Sequence, residues 1–167
     1  MTAKDWIAHL QLTPHPEGGF YREHYRSSEL IARESLPARF GGDRHCSTSI
    51  YFLLTSSDIS AFHRIKQDEI WHFYDGAPLT LHVIDTDGSY HSHVLGKDIA
   101  TGAQPQLVIP AGCTFGAEVL APDAFTLTGA TVAPGFDFDD FEMPSRAALL
   151  SEYPQHQDII QKLTYEA

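Results

Sequence analysis

The sequence predicts an all-β fold: a barrel or sandwich of eight or nine short strands, with short N-terminal and C-terminal helices. Short runs rich in β-branched and aromatic residues recur through the middle of the chain, with turn signals between them. No helical pattern separates these runs, which argues against alternating strand–helix units. Apolar residues at helical spacing occur only near the two ends.

The first predicted element is a short helix over 2–12, which Thr2 can cap. A turn at Gly18-Gly19 follows, and 19–26 then alternates like a strand whose two faces are both partly polar. A strand of this kind fits a position between subunits or across the mouth of a barrel. The polar segment 27–43 is predicted to be a loop.

Eight further strands are predicted, and the turn signal at 85–88 joins two of them as a hairpin. Their ranges are 47–54, 59–65, 69–74, 79–84, 90–95, 106–109, 114–118 and 125–132. Ser145 can cap a helix that Pro154 ends, and a second helical run follows it. Residues 1–167 fit a single domain without a repeat or a linker.

The composition excludes several classes of partner. Hydrophobic residues make up 43% of the chain, enough for a packed core, and the formal net charge is −11. Such an acidic chain is poorly suited to nucleic acid or to an anionic membrane surface. The N-terminus lacks the apolar stretch of a signal peptide, so a cytoplasmic location is expected. Cys46 and Cys113 read as reduced thiols, with a disulfide between them left open.

The main candidate site is a predicted hairpin that carries a histidine and a glutamate. His63 lies on its first strand, and Glu69 and Trp71 share one face of the second. With a three-residue loop at 66–68, His63 would pair with Trp71, and Glu69 would be its diagonal neighbour on the same face. A two-residue loop would point the imidazole and the carboxylate apart.

A carboxylate beside an imidazole on an apolar wall has two chemical uses. The carboxylate can hold the imidazole in one tautomer for proton transfer, or the two side chains can supply two ligands of a metal site. The alternative is an ordinary polar pair at the rim of a barrel.

The same stretch resembles the first cupin motif in loose form. In that motif two histidines separated by one residue are followed by a glutamate and then a glycine. His63, Glu69 and Gly76 match, and the second histidine falls on Ile65.

The second cupin motif is also present in part. Pro110 and Gly112 match it, whereas its histidine falls on Phe115 and its asparagine on Val119. Phrases in the expected order over nearly the whole chain resemble an uncharacterised cupin family, cupin family five. They are 15–19, 63–76, 110–112 and 132–138. The resemblance implies a double-stranded β-helix, the jelly-roll cupin barrel, related in fold to sugar-nucleotide 3,5-epimerases.

The missing histidines bear on metal binding. A cupin metal normally has three histidines and one glutamate, and two protein ligands rarely hold a divalent ion tightly. Gln106, Glu118 and, if its face is misjudged, His72 are candidates for a third ligand. No cofactor is therefore assigned, and a weakly held divalent metal stays open.

The predicted hairpin at 79–95 offers a second candidate metal site. A two-residue turn at Asp87-Gly88 would place three imidazoles on one face, those of His82, His91 and His93. That face offers no obvious carboxylate to orient the imidazoles, and hairpin faces often point to solvent. Chance binding to a nickel column is the preferred interpretation.

The epimerase resemblance implies metal-free proton transfer with His63 as the base. Glu69 or Asp137 would orient the imidazole, and Tyr51 or Tyr74 would donate a proton from the other side of the substrate. The acidic stretch that contains Asp137 also reads as a loop anchored by its phenyl rings.

The function predicted is binding of a small polar metabolite, an anionic one included, in the barrel mouth, with epimerase-like or isomerase-like proton transfer. A homodimer is also expected. Arg22 and Arg26 suit a phosphate or carboxylate, and surface ion pairs explain them equally well. The residues expected to contact the ligand are Arg22, Tyr51, Trp71, Phe73, Gln106 and Phe115, beside the catalytic candidates His63, Glu69 and Asp137. A non-catalytic binding or sensor protein and a metal-dependent cupin with a degenerate ligand set are the alternatives.

Overall fold

The structure, a computed structural model, describes residues 1–166 and confirms the all-β fold. The helices are α1 (Ala3–Leu10), α2 (Arg146–Glu152) and α3 (Gln157–Lys162). The strands are β1 (Thr13–Pro14), β2 (Phe20–Arg26), β3 (Leu30–Ile31), β4 (Arg44–His45), β5 (Thr48–Thr55), β6 (Ile59–His63), β7 (Asp68–Gly76), β8 (Leu79–Ile84), β9 (Tyr90–Leu95), β10 (Gln106–Ile109), β11 (Thr114–Glu118) and β12 (Phe125–Ala133).

Two antiparallel sheets pack face to face as a jelly roll. The large sheet has the order β1-β2-β5-β12-β7-β10, and the small sheet has the order β6-β11-β8-β9. β3 and β4 form a separate two-stranded ribbon. Because side chains alternate along a strand, one face of each sheet points to the interior and the other points outward.

The main core lies between the inner faces of the two sheets. Phe52, Trp71, Leu81 and Phe115 are almost completely buried there. Burial of one such side chain stabilises the fold by about 1.5–3 kcal/mol relative to exposure. This packing fills one end of the barrel and leaves the other end for a cavity.

The helices cover outer faces of the sheets. Thr2 and Asp5 form a capping box at the start of α1, which packs on Leu53 and Leu127 of the large sheet. Ser145 caps α2, and α2 and α3 bury Leu149 and Ile160 against the small sheet. The helices predicted near both ends are confirmed.

The predicted hairpin pairing of His63 with Trp71 is wrong. β6 belongs to the small sheet and pairs with β11, so that Phe115 is the neighbour of His63. β7 belongs to the large sheet, where Glu69 pairs with Ile109 and Val132. The chain changes sheets between the two strands, and Arg64 there exchanges backbone hydrogen bonds with Glu142 instead of starting a hairpin turn.

The predicted two-residue turn at Asp87-Gly88 is also wrong. Ile84 pairs with Tyr90, so five residues, 85–89, form the loop. The Asp87 carboxylate accepts hydrogen bonds from the Ser89 backbone N–H and hydroxyl, which stabilises the longer loop. His82 therefore pairs with Ser92, and its side chain points away from those of His91 and His93.

Both cysteines are free, Cys113 being buried and Cys46 partly buried. Burial, helped by Asp85, raises the pKa of Cys113 to about 11. No helix in the part of the chain that the structure describes is long and apolar enough to cross a membrane.

Candidate functional site

A cavity of about 560 Å³ lies at one end of the space between the sheets. It is lined by His15, Glu17, Tyr21, Glu23, Arg26, His45, Thr48, Ile50, Phe52, His63, Ile65, Glu69, Trp71, Ala130, Val132, Phe136, Asp137, Phe138 and Phe141. The volume is that of a site for a small organic molecule.

Strand alternation explains which residues of the large sheet reach the cavity. On β7, Glu69 and Trp71 are two residues apart and share the inner face. On β12, Val132 pairs with Glu69 and Ala130 pairs with Trp71. The small side chains of β12 leave open space directly beside the carboxyl and the indole.

His63 enters the cavity from β6 with both ring nitrogens engaged. Its Nδ1 lies 2.7 Å from the carbonyl oxygen of Ala61, and its Nε2 lies 3.0 Å from Oε2 of Glu17. Burial lowers the pKa of His63, but the charge of Glu17 and its hydrogen bond outweigh burial and raise the pKa overall. Both nitrogens donate when the ring is an imidazolium, which makes this a buried ion pair.

Glu17 is held in place by the loop between β1 and β2. Its Oε1 accepts a hydrogen bond from the Ser60 hydroxyl at 2.9 Å, and its backbone carbonyl accepts bonds from the Ala61 N–H and the Tyr165 hydroxyl. Burial raises the pKa of Glu17, but the charge and hydrogen bond of His63 lower it overall.

Gly18 makes this loop possible. Its φ is +108°, and a Cβ atom there would overlap the carbonyl oxygen of Ile59. The glycine lets Glu17 lie against β6, where its carboxylate reaches His63.

His15 is a neutral neighbour of the pair. Its Nδ1 accepts a hydrogen bond from the Glu17 backbone N–H at 3.2 Å, which fixes the tautomer with a proton on Nε2. Burial lowers the pKa of His15 despite the nearby Glu17 carboxylate. The edge of the His15 ring meets Tyr21 at a centroid distance of 4.4 Å.

Glu69 is the acid that the protein leaves without a partner. The residue is 8% exposed, and its carboxyl makes no hydrogen bond or ion pair among residues 1–166. Burial raises its pKa to about 8, with the His63 charge lowering it and the Glu17 charge raising it. Two residues on, Nε1 of Trp71 is a buried donor without a partner. A ligand in the cavity would therefore meet the Glu69 carboxyl, whereas the Trp71 N–H is shielded from the open space.

The segment 136–141 forms one wall of the cavity mouth and is anchored from below. Asp140 accepts two hydrogen bonds of 2.7 Å from Arg44, and both side chains are almost completely buried. Gln67 donates a further bond of 2.8 Å to Asp140. This anchor holds the segment over the barrel, with the rings of Phe136 and Phe141 facing the cavity.

Comparison with known proteins identifies the family. A family model described as Cupin superfamily (DUF985) matches residues 4–144. The chain belongs to this cupin family. An uncharacterized protein of Saccharomyces cerevisiae, YML079W, is 35% identical over 147 residues, which are 81% of this chain and 70% of that protein.

Solved structures agree with this family. Protein SO0799 from Shewanella oneidensis is 44% identical, with a TM-score of 0.89, over 100% of this cupin and 99% of that chain. A hypothetical protein from Leishmania major is 39% identical, with a TM-score of 0.90, over 99% and 100%. Oxalate decarboxylase of Bacillus subtilis, at 13% identity and a TM-score of 0.56 over 93% of this cupin and 38% of that chain, shares the fold alone.

The residues of this cupin do not fit a metal centre. Ile65 and Phe115 offer no ligand atoms at the motif positions, and both nitrogens of His63 are hydrogen-bonded. No group of three or more His, Cys, Asp and Glu side chains within residues 1–166 could hold an ion.

The third ligands considered for such a centre lie outside the cavity. His72 and Gln106 contact each other on the outer face of the large sheet, and Glu118 pairs with His82 under α3.

The structure brings only part of the predicted site together. His63, Glu69, Trp71 and Asp137 all line the cavity of this cupin. Phe115 packs behind His63, with the ring centroids 4.2 Å apart.

The other predicted contacts lie away from the cavity. Phe73 shares the inner face of β7 but packs in the core at the closed end. Arg22, Tyr51 and Gln106 lie on the outer face of the large sheet. They belong to one cross-strand row, which runs in the order Arg22, Tyr51, Gly129, His72 and Gln106.

Sequence reasoning missed the most important partner of His63. Glu17 takes the orienting role that was assigned to Glu69 or Asp137, and His15, Tyr21, Glu23 and His45 also line the cavity. An acid followed by two glycines at 17–19 was a signal, since it puts a carboxylate on a loop of special backbone geometry.

Proposed function

We propose that this cupin binds a small organic molecule in the cavity and moves a proton to and from it through Glu69. The observation that carries the proposal is a buried carboxyl with no protein partner beside open space. A carboxyl with a pKa of about 8 is well matched to acid–base work near neutral pH, where both protonation states are populated.

The expected chemistry is epimerase-like or isomerase-like. The Glu69 carboxylate takes a proton from a carbon next to a carbonyl, the C–H electron pair moves into the enolate, and the carboxylic acid returns a proton. No metal is needed for these steps.

His63 has a different role from the base predicted from the sequence. Because its nitrogens are engaged with Ala61 and Glu17, no ring nitrogen is free to accept a proton from a ligand. Its positive charge, close enough to influence Glu69, favours the carboxylate form of that side chain. We therefore treat His63 and Glu17 as a pair that tunes Glu69.

A simple ketone tests the proton transfer. Phenylacetone is a neutral probe whose benzylic hydrogens exchange with deuterium in D₂O, which proton NMR measures directly. We expect the wild type to accelerate exchange, with a rate that rises up to about pH 8, and Glu69→Gln to lower the rate by at least about a hundredfold.

Glu34→Gln, at an exposed position, is the matched control and should retain the wild-type rate. Equal rates for the wild type and Glu69→Gln would overturn the proposed chemistry. Binding of phenylacetone without accelerated exchange would instead favour a binding or sensor protein.

We infer that two copies associate through the outer face of the large sheet. One cross-strand row there joins Tyr25, Ser49, Thr131, Ile70 and Val108, none of which is charged. Tyr25 and Val108 are 51% and 57% exposed. Copies of a chain with a net charge of −11 repel each other least where such a face meets its counterpart.

Sedimentation velocity tests this association. The wild type should sediment as a dimer at micromolar concentration, and Val108→Glu should sediment as a monomer because it places like charges opposite each other. Leu120→Glu, which adds the same charge at a residue 64% exposed on a loop, should remain dimeric. A monomeric wild type would contradict the inference.

A further inference from the structure

The charged side chains around the cavity leave an excess of acid. Glu17 is paired with His63, and Glu23 is paired with Arg26 by two hydrogen bonds of 2.7 and 2.8 Å. Neither Glu69 nor Asp137 forms an ion pair within the described part of the chain. Each cation that lines the cavity is therefore already paired with an acid. Arg26 in particular is bonded to Glu23, so it no longer favours an anionic ligand that carries a phosphate or a carboxylate.

Aromatic rings make up much of the remaining lining. Six of them surround the space, those of Tyr21, Phe52, Trp71, Phe136, Phe138 and Phe141. The rings of Phe136 and Phe138 stand at 82° with centroids 5.0 Å apart, and Phe141 is at 76° to Phe138. Ring faces attract a cation electrostatically and ring edges do not, so a mixed arrangement of this kind presents favourable faces in several directions.

Glu69 is the acid nearest to the apolar floor of the cavity. It neighbours Trp71, Ala130 and Val132 on the inner face of the large sheet. A negative charge at this position is poorly solvated and has no directly bonded cation within residues 1–166, since the nearby His63 charge is already paired with Glu17, so a positive group on a ligand would supply a direct partner.

We propose that the cavity takes a small organic cation with an apolar body, whose charge lies beside Glu69 and among the aromatic rings. This inference rests on the proposed function, which places the ligand in the same cavity. A short aryl-alkylammonium has the size and the chemistry required.

Binding of such a cation is coupled to loss of a proton. With its pKa at about 8, Glu69 is mostly protonated at pH 7, and the cation favours the carboxylate. The ionised fraction of the carboxyl in the free protein rises about tenfold between pH 7 and pH 9, so the affinity for a permanent cation should rise about tenfold.

Other titratable groups face the same space. They are His15 and Glu17 of the loop, Tyr21, Glu23 and Arg26 of β2, His45 of β4, His63 of β6, and Asp137. Loss of the His63 proton would also favour a cation as the pH rises, so the pH dependence must be compared with that of a Glu69 variant.

Three probes with a common benzyl-like body test the inference by titration calorimetry. Benzyltrimethylammonium is a cation at every pH, benzyl alcohol is neutral, and benzoate is an anion. We expect the cation to bind at least about tenfold more tightly than the alcohol at pH 9, with benzoate the weakest. Titration at pH 7 in two buffers of different ionisation enthalpy should show proton release.

Glu69→Gln should lower the affinity for benzyltrimethylammonium about tenfold at pH 9 and leave that for benzyl alcohol unchanged, whereas Glu34→Gln should change neither. Equal or tighter binding of benzyl alcohol or benzoate would overturn the cation preference while leaving the proposed function intact. If none of the probes binds but deuterium exchange of phenylacetone proceeds, the inference fails alone. If exchange also fails, the proposed function falls with it.

Discussion

Glu69→Gln should stabilise the protein progressively as the pH rises from about 4.5 to about 8. The folded-state pKa of Glu69 lies above its ordinary value of 4.5, so in this window the folded protein binds more protons than the unfolded chain does. The wild type therefore loses stability with rising pH, and a glutamine, which does not titrate, removes that loss.

The expected size of this effect is large. Each pH unit within the window changes the difference in free energy of unfolding by about 1.4 kcal/mol, so the full change approaches about 5 kcal/mol. Urea denaturation of both proteins at several pH values between 4 and 9 measures it. Glu34→Gln controls for the loss of one negative charge and should run parallel to the wild type. A difference between Glu69→Gln and the wild type that does not vary with pH would show that Glu69 is not a buried, unpaired acid.

Arg44→Met should destabilise the protein by about 3 kcal/mol near neutral pH, because it removes both charged hydrogen bonds to the buried carboxylate of Asp140 and leaves only the partly exposed ammonium of Lys66, 3.6 Å away, as a cation. Burial raises the pKa of Asp140, but the hydrogen bonds from Arg44 and Gln67 lower it overall. Without Arg44 the carboxyl can take up a proton at acid pH, so the loss of stability should shrink as the pH falls.

A double-mutant cycle, measured by urea denaturation, separates the interaction energy between Arg44 and Asp140 from the contribution of each side chain alone. Replacing both partners, as in Arg44→Met with Asp140→Leu, should cost less than Arg44→Met alone because no buried charge remains. Arg39→Met is the matched control, since Arg39 is exposed and bonds the Lys66 carbonyl, and it should cost less than about 1 kcal/mol. A cost for Arg44→Met no greater than that of Arg39→Met would contradict the assigned role of the anchor.

The strands were predictable because their signals are local. The bounds of β8, β9, β10 and β11 equal those predicted from alternation and turn residues. Which sheet a strand joins is not a local property. The pattern around His63 and Glu69 is that of a hairpin, yet β6 and β7 find their partners in the distant strands β11 and β12.

The candidate site, like the sheets, was predictable only where its signals are local in the sequence. Strand parity and the cupin resemblance identified His63, Glu69 and Trp71, which all face the cavity. Glu17 was not identified, because its contact with His63 depends on a loop that crosses from the large sheet to the small one. Arg22 is predicted at a ligand because a strand with two partly polar faces does not reveal which face turns inward, and Tyr51 because the epimerase resemblance implies a proton donor; both lie on the outer face of the large sheet.

The two ends of the chain meet at the Glu17 loop. The Tyr165 hydroxyl bonds the Glu17 carbonyl oxygen, and the Leu163 carbonyl oxygen accepts a bond from Phe62, next to His63. During synthesis on a ribosome, the strands that form the inner wall emerge well before Leu163 and Tyr165 do. A nascent chain therefore contains every cavity-lining side chain before it contains the two residues whose hydrogen bonds hold the Glu17 loop and β6 together, so the contact that tunes the charge of Glu69 gains its full support only after the cavity wall has been made.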